Sequence, residues 1–256
     1  MTINHPLRKV VVVHTVGKVA SSTIYYGAKA TLVNHQLFHT HTLNPVRMER
    51  IVRVLQRHGN SLSIESGHIK DSRDLAPILL DKSIEFKIIT LIRDPIARDV
   101  SAFFENLNIF GVDQNNLPTV DEACKKFVAT YPNNTIEEWF SDEFCKVFGI
   151  DLFAMDFPKD VGWNIFSKDN FKFLLMKAET PDDVKQNVVA AFLECPRFKI
   201  SNANIMSEKF DKSYYKNFKV QLKHYIAEKL KSYDGDYVKY FYSDSEIDSM
   251  RQQWIF

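Results

Sequence analysis

The chain has 256 residues, 45% hydrophobic and 25% charged, a composition ordinary for a soluble protein and long enough for one large α/β domain. A formal net charge of +1 argues against a nucleic-acid binder, so any anion site must be local. Three cysteines, Cys124, Cys145 and Cys195, without CxxC spacing argue against a disulfide framework or a zinc–thiolate site and fit a reducing cytoplasm.

From Met1 to Lys9 there is no apolar core of signal-peptide length, and no later run approaches membrane-spanning length. The expectation is a cytoplasmic protein, with room for peripheral attachment at the inner membrane face. Glycines and prolines are spread thinly and no repeat or low-complexity segment stands out, so the chain is read as a single domain over 1–256.

Lys9 to Thr15 reads as a buried strand, because Val10 to Val13 carry no polar alternation. It runs into Val16-Gly17-Lys18-Val19-Ala20-Ser21-Ser22-Thr23 and then a helix with Ile24, Ala28 and Leu32 on one face. A strand, a short loop with a lysine and hydroxyls, and a helix N-terminus are the parts of an anion cradle. The loop departs from the Walker pattern of nucleotide kinases. The first glycine position is Val12, and Lys18 is followed by Val19 rather than a magnesium-holding Ser or Thr.

Gln36 to Leu43 alternates and reads as a strand, placing His39 and His41 on one face with His35 just before. A metal site would need a third convergent ligand, and none is evident, so these are read as polar strand-face histidines. Pro45 to His58 is a basic helix carrying Arg47, Arg50, Arg53 and Arg57, with Val46, Ile51, Val54 and Leu55 expected inward. Ser63 to Lys70 reads as a loop with Glu65, Gly67 and His68.

Phe86 to Leu107 organises the chain. Ile88 to Ile92 is a strand buried on both faces, Arg93 leaves its carboxyl end, and Asp94-Pro95 is a helix start. Ile96, Val100, Phe103, Phe104 and Leu107 form one apolar stripe, while Arg98 and Ser101 share another face. An arginine at a strand end and a hydroxyl on the next helix can grip a phosphate. The competing reading is an Arg93–Asp94 salt bridge beside an ordinary helical serine.

The segment 106–162 reads as a helical, aromatic-rich insertion. Thr119-x-x-Glu122 and Thr135-x-x-Glu138 are capping boxes, and Trp139, Phe140, Phe144, Phe148, Phe153, Phe157 and Trp163 are read as an apolar core. Phe171 to Met176 is a further buried strand, Thr180 to Asp183 starts a helix through Leu193, a helix covers about Ser207 to Leu230, and Ser243-x-x-Glu246 starts the last one. Lys209, Tyr214 and Lys216 are read as a solvated helix face. The fold class is therefore α/β, a P-loop-like parallel sheet flanked by helices with a helical C-terminal part.

Two motifs together carry a resemblance. Gly17-Lys18-Val19-Ala20-Ser21-Ser22-Thr23 resembles the 5′-phosphosulfate loop of sulfotransferases that use 3′-phosphoadenosine 5′-phosphosulfate (PAPS), and its Lys-x-Ala-Ser portion is similar to the uronyl 2-O-sulfotransferases. Arg93-Asp94-Pro95, Arg98 and Ser101, the serine eight residues after the first arginine, resemble the same superfamily's 3′-phosphate motif. Phe171 to Glu179 and Lys239 to Ser243 also resemble a bacterial family of capsular polysaccharide synthesis proteins.

The resemblance implies sulfuryl transfer from PAPS to a hydroxyl, on a saccharide or capsular polysaccharide, with no nucleic acid, integral membrane segment or metal required. It implies that Lys18 steadies the phosphosulfate bridge, and that Gly17, Ala20, Ser21, Ser22 and Thr23 surround the 5′-phosphate. Arg93 and Ser101 would hold the 3′-phosphate, with Arg98 in support. His68 lies where the uronyl 2-O-sulfotransferases keep their base, and imidazole suits that role at neutral pH. Glu65 is the alternative base. The rival functions are a non-catalytic PAPS- or phosphoglycan-binding protein of capsule assembly and a nucleotide-dependent kinase.

Overall fold

A computed structural model describes residues 9–59, 64–133, 135–201 and 212–255. In chain order its main elements are β1 (Lys9–His14), α1 (Ser21–Thr31), β2 (Gln36–Thr40), α2 (Pro45–Arg57), α3 (Gly67–Leu75), β3 (Glu85–Ile92), α4 (Pro95–Glu105), α5 (Val120–Thr130), α6 (Thr135–Phe140), β4 (Trp163–Lys168), β5 (Phe171–Lys177), α7 (Asp182–Leu193), α8 (Lys212–Leu222), α9 (Asp236–Phe241) and α10 (Asp244–Ile255). They group into two compact units. The first comprises the described parts of Met1–Ile92 and Gly162–Ala203, the second those of Arg93–Val161 and Asn204–Phe256.

The first unit is a five-stranded sheet in the order β2-β1-β3-β5-β4. Every neighbouring pair is parallel except the edge strand β4, which runs antiparallel to β5. The central strands are unbroken apolar runs because both of their faces are covered. Val10 to Val13 on β1 and Ile88, Ile89, Leu91 and Ile92 on β3 are essentially without solvent exposure. Lys87 is the buried charged residue of β3, and its ammonium lies 2.9 Å from Glu194. That bond, reinforced by Lys9, holds the Glu194 carboxyl down to about 2.

Helix α1 buries Ile24 and Ala28, with Leu32 at its C-cap. Gly27 is required on that helix, because a Cβ there would run into the Lys199 carbonyl. Three details differ from the sequence expectation. The β2 strand stops at Thr40, so His41 lies just beyond it. Helix α2 buries no residue fully, and Val46, expected inward, is 76% exposed; Asn44 caps that helix by accepting from the Arg47 N–H. At α7 the N-cap position is Pro181, with no side-chain cap.

The second unit is helical. Asp94 caps α4 as its sequence suggests, accepting from the Ile96 and Ala97 N–H groups at 2.8 and 3.2 Å. Helix α4 is buried almost all round, its polar Arg98, Asp99 and Ser101 included. Thr119 and Glu122 complete a reciprocal capping box on α5, and Ser243 and Glu246 do the same for α10. Helix α6 begins at Thr135 itself.

Trp139, Phe140, Phe144, Phe148 and Phe157 form a buried aromatic core with Tyr237 and Phe241 from α9. Phe153 is partly exposed, and Trp163 belongs to β4 of the first unit. The single helix expected to run to Leu230 is interrupted. Helix α8 ends at Leu222, and a separate turn spans Ala227–Leu230. Its expected start at Ser207, like Lys209, lies outside the described residues. Among the described residues no helix is long and apolar enough to cross a membrane.

Candidate functional site

The connection from β1 to α1 is short, and three of its residues adopt left-handed backbone. Gly17 has φ +79°, Lys18 φ +61° and Ala20 φ +62°. Non-glycine residues in that region cost about 1–3 kcal/mol each and persist where the surroundings hold them. Here Val19 is a fully buried anchor between half-buried Lys18 and exposed Ala20. Ala20 occupies the N-cap position of α1 and supplies no side-chain cap. The Thr23 hydroxyl closes the turn instead, donating to the Ala20 carbonyl at 2.7 Å.

Next to this loop the parallel pairing of β1 with β2 aligns their carboxyl ends. The Thr15 N–H donates to the Thr40 carbonyl at 3.1 Å, and the Thr15 carbonyl accepts from His41 Nδ1 at 2.9 Å. The His41 ring lies against Gly17, with Nε2 3.5 Å from where a Cβ would stand. His39, buried at the end of β2, has Nε2 2.8 Å from the Ser21 hydroxyl at the start of α1. The His39 N–H donates to Asp71 Oδ2 at 2.8 Å, tying β2 to α3.

His68 enters from the first turn of α3, after Gly67 at φ +58°, rather than from a loop. Its Nδ1–H donates to the His39 carbonyl at 2.9 Å, which leaves Nε2 as the lone-pair nitrogen of the neutral ring. The three rings converge. His41 and His68 have centroids 3.7 Å apart, His39 and His68 4.3 Å, and His39 and His41 5.3 Å. One ring nitrogen from each lies within 4.8 Å of those of the other two. The sequence offered no third partner for His39 and His41; the fold supplies it from a residue 27 positions further along.

Burial keeps all three imidazoles neutral at physiological pH. Desolvation, with the His68 and His14 rings nearby, takes His39 down to about 3. His41 is held well below the ordinary imidazole range by desolvation and by the His68 and His39 rings, despite its bond to the Thr15 carbonyl. His68 is lowered by desolvation and by the Lys18 ammonium, while the bond to the His39 carbonyl and the Asp71 carboxylate oppose that. Lys18 and His68 are therefore electrostatic neighbours. Glu65, the alternative base, is exposed and sits 3.6 Å from Arg73.

The Arg93 to Ser101 motif lies in the second unit. Arg93 is half-buried, and its backbone N–H and carbonyl both bond to the Tyr237 hydroxyl, at 3.0 and 2.8 Å. Its charge acts on α8. Partial burial and the Arg93 guanidinium push the Lys219 ammonium down, while burial raises the Tyr215 phenol with the Arg93 guanidinium pulling the other way. Sequence reasoning passed over Lys219 and Tyr215, because nothing local links them to Arg93.

The Asp94 carboxylate serves the α4 cap and also accepts from the Tyr233 hydroxyl at 2.8 Å. Arg98 is interior, with Nη1 2.9 Å from Asp99 and 2.7 Å from the Tyr131 hydroxyl. Ser101 is buried on the same helix. Tyr214, half-buried, donates to the Pro118 carbonyl at 2.9 Å, while Lys216 is exposed as expected.

Compared with known proteins, residues 112–243, just over half of the chain, match the profile of a family described as putative capsular polysaccharide synthesis protein. No curated protein and no solved structure matches the chain.

Proposed function

We propose, from the premise that this chain belongs to the putative capsular polysaccharide synthesis protein family, that it transfers a sulfuryl group from PAPS to a saccharide hydroxyl. The observation that carries the reading is the pairing, in one unit, of a neutral His68 with the Lys18 loop that leads into α1. A transfer of this kind needs a base for the acceptor and a cation for the leaving group, and these are the two side chains.

In this reading the His68 Nε2 lone pair takes the proton of the acceptor hydroxyl as its oxygen bonds to sulfur. The bond from sulfur to the bridging 5′-phosphate oxygen breaks, and its electron pair leaves on that oxygen. Lys18 and the backbone of the left-handed turn meet the developing charge, which leaves the donor side with no need of a metal. The Nδ1–H bond to the His39 carbonyl keeps the His68 ring in the tautomer the step requires. Ser22 supplies a hydroxyl to the 5′-phosphate. Ser21 and Thr23, bonded to His39 and Ala20, shape the turn.

The 3′-phosphate part of the reading rests on the motif of Arg93 and Ser101. Lys219, whose ammonium feels the Arg93 charge, joins them as a further cation. Arg98, held by Asp99 and Tyr131, acts on α4 rather than on the donor. Thermal-shift measurements with PAP, the desulfated product, against ADP test the donor assignment. PAP should stabilise the protein more, because ADP lacks the 3′-phosphate; equal shifts would remove PAPS from the reading. Transfer of labelled sulfate from PAPS to a panel of saccharides then tests the chemistry.

A further inference from the structure

The three imidazoles are arranged in more detail than one general base requires. Two of them spend Nδ1–H on backbone carbonyls, His41 on Thr15 and His68 on His39, so each presents Nε2 as its lone-pair nitrogen. The third, His39, has its Nε2 against the Ser21 hydroxyl; with Nε2–H donated there, Nδ1 carries its lone pair. Metal-binding histidines are held in this way, with the nitrogen that does not bind fixed by a hydrogen bond.

We propose that His39, His41 and His68 form a binding site for one first-row transition-metal dication, Zn2+ above all. Three neutral nitrogen donors select zinc, cobalt, nickel or copper over calcium and magnesium, which take oxygen ligands. One ring nitrogen from each histidine already lies within 4.8 Å of one from each of the other two. Zn–N bonds of about 2.0–2.1 Å in a tetrahedral site put them roughly 3.3 Å apart, so ring rotations close them onto an ion. Burial has removed the proton competition that weakens metal binding to exposed histidines. The Asp71 carboxylate, which accepts the His39 N–H and raises the basicity of His68, supplies counter-charge, and the Lys18 ammonium opposes it. Three protein ligands leave a fourth position for water or another exchangeable group.

This site goes beyond sulfuryl transfer and does not depend on it. The lone pair on His68 Nε2 can hold a proton or a metal, not both, so a loaded site would inhibit a reaction in which His68 is the base.

The test is equilibrium dialysis of the chelator-stripped full chain against Zn2+, with bound metal counted by atomic emission. Visible spectroscopy of the Co2+ form accompanies it. The proposal expects one ion per chain at micromolar affinity and the intense visible bands of four-coordinate Co2+. His68→Ala and His41→Ala should each weaken binding by at least about 100-fold, the upper end of what losing a mere supporting group costs, and should bleach those bands. Cys145→Ser, which removes an exposed thiol, should change neither.

His41 packs against Gly17, so its loss can disturb the loop. His68→Ala, on the half-exposed first turn of α3, carries the test if His41→Ala fails to give a wild-type melting curve. Failure to retain Zn2+, weak six-coordinate Co2+ bands, or wild-type affinity in His68→Ala would each overturn the proposal. PAP-induced thermal shifts and transfer of labelled sulfate, both measured in chelator, report on the donor site and on sulfuryl transfer separately.

Discussion

The β1–α1 turn and the start of α4 use the same local recipe, a buried strand, a polar turn bearing a basic residue, and a helix with a hydroxyl. They acquire opposite environments. At the first, Lys18 stays half-buried beside neutral imidazoles, and the backbone carries the strain in three left-handed residues. At the second, the cap is filled by Asp94 and the second arginine is withdrawn into a buried pair with Asp99. A strained backbone around uncharged bases suits chemistry, whereas a satisfied cap and a buried ion pair suit a helix that must not move. Two motifs that look alike in sequence therefore differ in where they place backbone strain and buried charge.

The sharpest way to break this contrast is at the first region. His68→Ala should lower sulfuryl transfer by about 10²–10⁴-fold, the usual contribution of a general base, while leaving PAP affinity nearly intact. Lys18→Ala should lower turnover and also weaken donor binding, because its charge meets the phosphosulfate before and during transfer. Steady-state kinetics in chelator, paired with PAP titration, separates the two. Full activity in His68→Ala would transfer the role of base elsewhere.

At the second region the largest effect should fall on stability. Arg98→Ala leaves Asp99 and the Tyr131 hydroxyl buried without their cation, a change that typically costs about 3–5 kcal/mol. Urea unfolding at pH 7.5 would measure it, and a change under about 1 kcal/mol would show that the pair is not a structural one. Arg93→Ala should act the other way, sparing stability while weakening PAP binding by about 1.5–3 kcal/mol, or roughly one to two decades. Ser101→Ala should cost about 0.5–1.5 kcal/mol. An Arg93→Ala protein that binds PAP as wild type does would reduce that arginine to a structural residue.

The smallest expected effect is a slope. Burial raises the Asp99 carboxyl from its ordinary 3.8 to about 6, with the Arg98 guanidinium pulling the other way. The folded chain thus binds this proton more tightly than the unfolded chain does. Its contribution to stability is fully present below about pH 3.8 and is lost as pH rises through about 6. Asp99→Asn cannot titrate, so the difference in unfolding free energy between variant and wild type should vary across that window and level off above it. A pH-independent difference would place the Asp99 carboxyl in its ordinary range.

Much of this architecture is legible in short stretches. The apolar runs of β1, β3 and β5, the Asp94-Pro95 start of α4 and the reciprocal caps at Thr119 and Ser243 were all readable, because each depends on a few adjacent residues. Errors arose where burial by distant chain overrides local preference. Val46 follows a helical apolar period yet is exposed, since no other described element covers it, and the helix expected to continue to Leu230 is broken beyond Leu222. The expected aromatic core takes in Trp139, Phe140, Phe144, Phe148 and Phe157, but Phe153 stays partly exposed and Trp163 joins a strand of the other unit.

The candidate site divides along the same line. Sequence by itself marked Lys18 and Arg93, because a basic residue beside a strand end stands out in one dimension, while His68 was marked by its resemblance to the base position of the uronyl 2-O-sulfotransferases. It also contained the two strand–turn–helix motifs and the α/β pattern. Only the tertiary structure decided that His39, His41 and His68 meet, that Arg98 is internal, and that Lys219 feels Arg93. Each of these depends on distances set by strand register and helix placement across tens of residues. Whether an imidazole is charged, and what it can hold, depends on the solvent and neighbours that the folded chain gives it.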